Sequence, residues 1–431
     1  MIVAQFWSAW ELPLATILAG VLSSLPCAIL GCFLVLRRMS LLGDAISHSV
    51  LPGIVIGALL SGNLLGWPVF LGAVVMGVLT AILTQSLTSH GNVSEDAGMG
   101  VVFTSFFALG VILITQLARN VDLDPGCVLY GLIEFIPLDT VKWGSWEVPR
   151  AFFTLVPVCI VTILFTLLFW KELLLSSFDP ALATSMGFSS MVLHYLLMGL
   201  VAVVSVASFE AVGSVLVIAM LIVPPATAHL LTDRLGRMIV LSVLCSISAS
   251  IVGYWGATRW NTSVAGMMSV VAGLQFLLAL VFAPRYGLIS RTWHNLSLSF
   301  RIIAEDVIAA LFRAEEEAPQ SAGLKIADCF RLAGGGWGPW LLLPLLKYRG
   351  LVLAAPQGRL QLTEKGRTRA RSLVRSHRLW EAFMEKHFDL PADHLHAPAS
   401  RVEHYIGPEL QDKLKEELRG PDVDPHGRQI P

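Results

Sequence analysis

Charge is the scarcest property of this chain: Asp, Glu, Lys and Arg make up 14% of 431 residues, against 55% hydrophobic residues and a mean hydropathy of +0.69. That balance is too apolar for an ordinary soluble protein, and a lipid bilayer is the expected solvent. No G-x-x-x-x-G-K-[ST] phosphate loop occurs, which excludes a P-loop ATPase, so any energy from ATP must come from a partner. Six cysteines (Cys27, Cys32, Cys127, Cys159, Cys245, Cys329) make no C-x-x-C pair and mostly lie in apolar runs, so neither a disulfide framework nor a zinc knuckle is expected. Lys and Arg are missing from the first ten residues, and without the basic flank of a cleaved signal peptide the first apolar run is expected to remain as a membrane span. The formal net charge of −1 marks neither a dedicated nucleic-acid binder nor an acidic tail.

The charge present is unevenly placed. Apolar runs fill the chain to about residue 284, whereas charged residues crowd the stretch from Arg285 to the end, which divides the chain into two domains. Crossing a hydrocarbon core takes roughly 20 mostly apolar residues as helix. Nine candidates follow, at 12–36, 43–60, 66–88, 98–118, 151–170, 191–208, 211–231, 238–256 and 263–283, giving an all-α polytopic membrane domain. Arg37, Arg38, Lys171, Arg234, Arg237, Arg285 and Arg291 fall on one side, and Arg119, Lys142, Arg150 and Arg259 on the other. The richer side is cytoplasmic by the positive-inside rule, which puts the N-terminus outside and the C-terminal domain in the cytoplasm.

Between spans, Val121 to Pro149 reads as an external loop with a short interfacial or re-entrant helix, given Pro125, Pro137, Trp143 and Trp146. Asp179 followed by Pro180, with Gly187 as a stop, predicts a short cytoplasmic helix on the membrane surface. Further on, Glu315 to Glu317 before Pro319 suggests a turn between helices. The run Lys347 to Gly366 predicts a helix end, a strand, a turn at Pro356 to Gly358 and a second strand, the wing of a winged-helix domain.

Within the second span Asp44 and His48 are four residues apart and share a helix face. A carboxylate and an imidazole so placed can ligate Mn, Fe or Zn in transit; the plainer alternative is a helix cap and a histidine bonded to a neighbouring helix. Pro52 and Gly53, one turn on, are expected to interrupt that helix, as happens at transporter binding sites and at simple packing kinks. Glu210, set between apolar runs at the junction of the sixth and seventh spans, is a second candidate for the ion path or an interfacial carboxylate. His229, after Pro224 and Pro225, reads as structural. In the charged half, His377 and Glu381 sit at i,i+4 and Glu403 and His404 are adjacent, a His/carboxylate set suited to Mn or Fe or, more plainly, a solvated helical face.

Four stretches carry a resemblance: RRMSLLGDAISHSVLPGIVIG, EDAGMGVVFTSFFALGVIL, LFWKELLLSSFDPALATSMGF and LMGLVAVVSVASFEAVGSVLVIAMLIVPPATAHLLTDRLGRM. In order and spacing they resemble the permease subunits of manganese/zinc/iron ABC importers. The resemblance implies a dimer with itself or a related permease, an ATPase subunit docking on the short helix at Asp179, Pro180 and Gly187, and an extracytoplasmic metal-binding protein as donor. It also implies that Asp44 and His48 coordinate the passing metal. No catalytic cofactor is expected; Mn2+ or Fe2+ enters as substrate and regulatory ligand, with zinc also open as cargo.

The C-terminal stretch GLVLAAPQGRLQLTEKGRTRARSLVRSHRLWEAFMEKHFDLPADHLHAPASRVEHYIGPEL and the terminal PHGRQIP resemble the diphtheria-toxin-repressor type of iron- and manganese-dependent repressors. That likeness implies metal ligands at Asp306, His377, Glu381, His396, Glu403 and His404, with Ser400 where the family has Cys or Glu. It implies a linker at 286–300, a winged-helix-like domain at 301–370 and a helical metal-binding and dimerisation domain at 371–431. The expected recognition helix, Trp337 to Leu346, carries apolar side chains and two prolines instead of the Arg, Asn or Gln that read base edges. The expectation is therefore a metal permease subunit with a metal-sensing tail, against the alternative of a permease fused to a DNA-binding repressor.

Overall fold

The computed structural model describes residues 2–39, 41–62, 66–91, 93–117, 133–143, 146–318, 323–332, 338–388, 394–420 and 423–431. They form two compact units, Met1–Ser290 and Arg291–Pro431.

The first unit is helical: α1 (Ile2–Leu36), α2 (Leu42–Ser49), α3 (Leu51–Ser61), α4 (Trp67–Gly91), α5 (Glu95–Leu117), α6 (Phe152–Leu168), α7 (Trp170–Phe178), α8 (Pro180–Ser185), α9 (Ser190–Val212), α10 (Ser214–Leu231), α11 (Leu235–Trp260) and α12 (Val264–Phe282). Among the described residues eight helices, counting α2 and α3 as one, are long and apolar enough to cross a membrane. The pair α6 and α7, bent by 73°, makes a ninth if taken as one span. The chain is a multi-pass membrane protein.

The first unit has a dry centre. Leu30, Phe33, Leu42, Ile46, Leu197, Met198, Leu216 and Met220 are all under 2% exposed, while Leu60, Leu167 and Phe282 lie on the surface, as expected where lipid is the neighbour. Helices approach closely where glycine allows it. A Cβ on Gly72 of α4 would lie 2.3 Å from the Gly53 carbonyl oxygen of α3, and one on Gly31 of α1 would lie 2.0 Å from that of Leu221 in α10. At the end of α1 the Arg38 N–H donates to Val35 and that of Met39 to Leu34, a paired closure that places Arg38 at φ 62, where glycine is the usual occupant.

Part of the expected external loop, 118–132 and 144–145, lies outside the described residues. Its described residues hold no α-helix of the short interfacial or re-entrant kind expected. A short 3-10 turn, Ile133–Phe135, leads into an antiparallel hairpin, β1 (Thr140–Trp143) and β2 (Trp146–Pro149). The β-branched and aromatic residues alternate there with charged ones, a strand pattern that the prolines obscured.

The second unit opens with α13 (Leu288–Glu317), in whose first turn the division falls. The stretch expected as a linker is thus helical from Leu288, and Glu315 to Glu317 are the helix's last turn, not a turn between helices; Pro319 is outside the described residues. Then come β3 (Leu324–Lys325), α14 (Ile326–Leu332), α15 (Gly338–Tyr348), β4 (Val352–Ala355), β5 (Arg359–Leu362), α16 (Glu364–His387), α17 (His396–Val402) and α18 (Pro408–Glu417). The hairpin of β4 and β5 turns at Pro356 to Gly358, as the sequence predicts, and β3 adds to β5 as a third antiparallel strand. Val307, Ile308, Leu311, Leu346, Val352, Leu360 and Val374 form the core between α13, α15, the sheet and α16.

Candidate metal sites

Asp44 stands in the first turn of α2 and His48 in its last, with His48 Nε2 3.7 Å from Asp44 Oδ1. The imidazole lies against Phe103 and Phe107 of α5 at centroid distances of 6.0 and 5.7 Å. Helix α2 ends at Val50 and α3 resumes with Pro52 in its first turn. Proline has no N–H to give to the carbonyl four residues back, which belongs to His48. The break thus leaves a carboxylate, an imidazole and a backbone carbonyl without its usual helical donor on adjacent turns. Such a set of oxygen and nitrogen donors suits a divalent transition metal, and a single chain supplies only part of a coordination shell.

Glu210 stands at the end of the sixth span, beside its junction with the seventh. It lies in the last turn of α9, and the break comes at Gly213, whose φ of 82° ends the helix. It borders a cavity of about 290 Å3 with Asp139, Arg150 and the rings of Trp67, Phe70 and Phe153. Among the described residues neither Glu210 nor the Asp44/His48 pair belongs to a group of three or more ligands close enough to hold one ion.

Helix α8 is the short helix expected after Asp179. The Asp179 carboxylate accepts from the Leu182 N–H at 2.9 Å, Pro180 opens the helix, and Gly187 follows it at φ 90. Sequence reading missed what anchors the preceding α7. Arg37, one residue past α1, donates to Ser176 (2.9 Å) and Ser177 (3.3 Å), and lies 3.1 Å from Nδ1 of His194, whose Nε2 lies 2.8 Å from Gln85 Oε1.

The six residues implied as tail ligands fall into two groups, His377/Glu381/His396 and Asp306/Glu403/His404. Helix α16 supplies His377 and Glu381 one turn apart, α17 and the turn after it supply His396, Glu403 and His404, and α13 supplies Asp306. His377 Nε2 is 2.9 Å from Glu381 Oε1, which is 3.1 Å from His396 Nδ1. His404 Nε2 is 3.3 Å from Asp306 Oδ1, and its Nδ1 is 2.9 Å from Glu305 Oε2. His377 Nδ1 and Glu403 Oε2 approach to 2.5 Å without the angle of a hydrogen bond, and these two buried atoms have no other hydrogen-bond partner. Among the described residues each group brings three His or carboxylate ligand atoms within 4.8 Å of one another, and such a mixed nitrogen and oxygen donor set fits a divalent metal.

The electrostatics agree. Burial works against the charged imidazole of His404, but the Asp306 and Glu305 carboxylates outweigh it and push the ring up to about 9. Burial likewise opposes ionisation of Glu305, yet His404, Arg369 and Arg301 bring its carboxyl down to about 2. His377 is raised against the effect of burial by Glu381 and Glu403. Protons here occupy positions that a divalent cation can take.

Ser400 lines a cavity of about 710 Å3 beside Asp306, Glu403 and His404, with Arg313, Arg401 and Arg428. A third group, Glu381/Asp424/His426, was not read from the sequence. The PHGRQIP segment contains His426, but nothing in its spacing marks that residue as a neighbour of α16. Asp424 accepts from the His426 and Arg428 N–H groups at 3.0 and 2.7 Å, which folds the C-terminus back.

Comparison with known proteins gives each unit its own match. Residues 10–283 match the family model of the ABC 3 transport family, and residues 363–431 match that of the iron dependent repressor, metal binding and dimerisation domain. The chain is 44% identical over 283 residues to the manganese transport system membrane protein MntD of Bacillus subtilis, covering 65% of this chain and 96% of the relative. It is 45% identical over 275 residues to the zinc transport system membrane protein TroD of Treponema pallidum, covering 64% and 75%. PsaBC from Streptococcus pneumoniae, solved in complex with Fab, aligns with a TM-score of 0.54 at 32% identity over 66% of this chain and 97% of that one.

Proposed function

For a chain that belongs to the ABC 3 transport family, we propose the role of membrane permease subunit in an importer of divalent transition metal, with manganese as the first choice and iron or zinc next. The observation that carries this reading is the Asp44/His48 pair set one turn before the proline break in a membrane-length helix. Two such pairs, from this chain and from a second permease, make a larger part of a coordination shell than either alone. Glu210, beside the aromatic-rimmed cavity with Asp139 and Arg150, is the second polar station on the path. With no phosphate loop in the chain, ATP hydrolysis falls to a separate ATPase subunit, for which α8 with Asp179, Pro180 and Gly187 is the docking element. An extracytoplasmic binding protein delivers the metal, and the membrane is the bacterial inner membrane with the tail in the cytoplasm.

The tail is the metal sensor of this transporter: Asp306, His377, Glu381, His396, Glu403 and His404 bind the imported ion and the occupied state curbs uptake. Feedback of this kind requires different metal affinities in the active and inhibited states. The DNA-reading alternative gains little from α15, whose exposed described side chains are Pro344, Leu345, Lys347 and Tyr348, with Lys347 the one cation among them.

Competitive uptake of radioactive manganese, iron and zinc by cells with the cognate ATPase and binding protein tests both parts. Selective uptake that is lost in Asp44→Ala, and released from inhibition by internal metal in a truncation after Arg291, is the expected result. Normal transport by Asp44→Ala at matched expression refutes the ion path, and unchanged inhibition in the truncation refutes the sensor.

A further inference from the structure

Among the described residues Glu305 belongs to none of the metal-sized groups, yet it is 5% exposed and touches one of their histidines. Its Oε2 is 2.9 Å from His404 Nδ1, and its Oε1 accepts from Arg369 at 2.8 Å and Arg301 at 3.3 Å. Both oxygens are therefore engaged before any cation arrives. The next residue on α13, Asp306, is turned roughly 100° around the helix and reaches the opposite edge of the same imidazole, 3.3 Å from Nε2. Two consecutive carboxylates thus flank one ring. They differ in their neighbours: Glu305 is pinned by two guanidinium groups, while Asp306 is a third exposed and borders the cavity that holds Ser400 and Glu403.

We infer that Glu305 is a positioning residue for the Asp306/Glu403/His404 group, holding the His404 imidazole with its proton on Nδ1 and its Nε2 lone pair toward the metal. The inference rests on the reading of the tail as a metal sensor. An ionised carboxylate only accepts, so the nitrogen facing Glu305 must carry the hydrogen, and a neutral imidazole then has one free lone pair, on Nε2. Metal-bound histidines typically hold their second nitrogen in this way, and removing the orienting carboxylate typically weakens metal affinity about 10–100-fold. Arg301 and Arg369 hold Oε1 of Glu305, which fixes the carboxylate with Oε2 facing His404 Nδ1.

The test uses the full chain in lipid with 15N-labelled histidine, loaded with Zn2+ because that ion is diamagnetic, and with His404→Gln to identify the ring signal. In the wild type the His404 ring should show hydrogen on Nδ1 and metal on Nε2. Glu305→Gln, which keeps the shape and the acceptor oxygen, should weaken Zn2+ binding at this group about tenfold, and Glu305→Ala toward the upper end of the 10–100-fold range with a mixture of ring states. If Glu305→Ala does not fold, the glutamine variant decides. Wild-type affinity in Glu305→Gln, or hydrogen on Nε2 in the loaded wild type, overturns the role of Glu305 and leaves the sensor standing. No Zn2+ binding to the tail of the wild type overturns both.

Discussion

The 2.5 Å approach of His377 Nδ1 to Glu403 Oε2 joins two metal-sized groups of the tail, because His377 belongs to one and Glu403 to the other. Charge or proton content in one group is felt directly in the other. Glu403→Gln is therefore expected to lower Mn2+ affinity at both groups, by about tenfold or more at its own, and to reduce the number of ions bound per chain by more than one. Equilibrium dialysis with the full chain measures this. Loss of a single ion with the second affinity unchanged shows that the groups act independently.

Arg378 supports the same region from behind. It is 4% exposed, forks onto Glu316 at 2.5 Å and lies 3.6 Å from Asp424, tying α13 to the C-terminal segment. Arg378→Met leaves Asp424 and Glu316 without their cation, and breaking a buried pair in this way typically costs about 3–5 kcal/mol. The exposed pair of Arg367 with Glu315 belongs to the class worth about 1 kcal/mol or less. Hydrogen exchange of the 423–431 backbone should therefore accelerate strongly in Arg378→Met and little in Arg367→Met. Equal effects would mean that burial of the arginine contributes nothing.

The features legible in the sequence are those that depend on neighbours within one or two turns. Apolar runs locate the spans, Pro52 the break after Val50, Asp179 the cap of α8, and the turn at Pro356 to Gly358 the hairpin. The pairing of His377 with Glu381 is legible for the same reason. Long-range contacts are not. Arg37 reads as a positive-inside marker, and only the fold reveals its hold on Ser176 and Ser177 about 140 positions away. Glu305 sits beside Asp306 on an amphipathic helix, where an acidic residue reads as part of a solvated face until Arg369 and His404 are seen against it. The family likeness pointed to the six residues that fall into two metal-sized groups but not to Asp424 or His426, whose nearness to Glu381 depends on the chain turning back.

Close backbone contact makes the crossing of α3 and α4 sensitive to single methyl groups. A Cβ on Gly72 would fall 2.3 Å from the Gly53 carbonyl oxygen, too near for side-chain relaxation to relieve, because the obstacle is backbone. Helices in lipid lack a hydrophobic drive toward each other and depend on such fit. Gly72→Val should therefore lower the melting temperature of the purified chain in detergent markedly. Gly199→Ala, where nothing among the described residues lies within 4 Å, should leave it unchanged or raise it slightly, since alanine favours helix by about 1 kcal/mol. Similar melting of both variants would show that the α3–α4 contact does not govern stability.

Helix α8 has six residues and little buried surface, so its one side-chain cap carries an unusual share of its order. An isolated helix this short is far below the length that is stable in water. Removing the Asp179 carboxylate in Asp179→Ala loses about 1 kcal/mol of capping, which should fray α8 while the spans, buried elsewhere, stay folded. If ATPase docking requires an ordered α8, metal uptake by the assembled importer falls several-fold. Asp179→Asn separates capping from charge, because asparagine caps nearly as well but is neutral. Recovery of uptake in Asp179→Asn identifies the cap as the contribution. Failure of Asp179→Asn to exceed Asp179→Ala shifts the role of Asp179 from folding α8 to a direct charge contact with the partner.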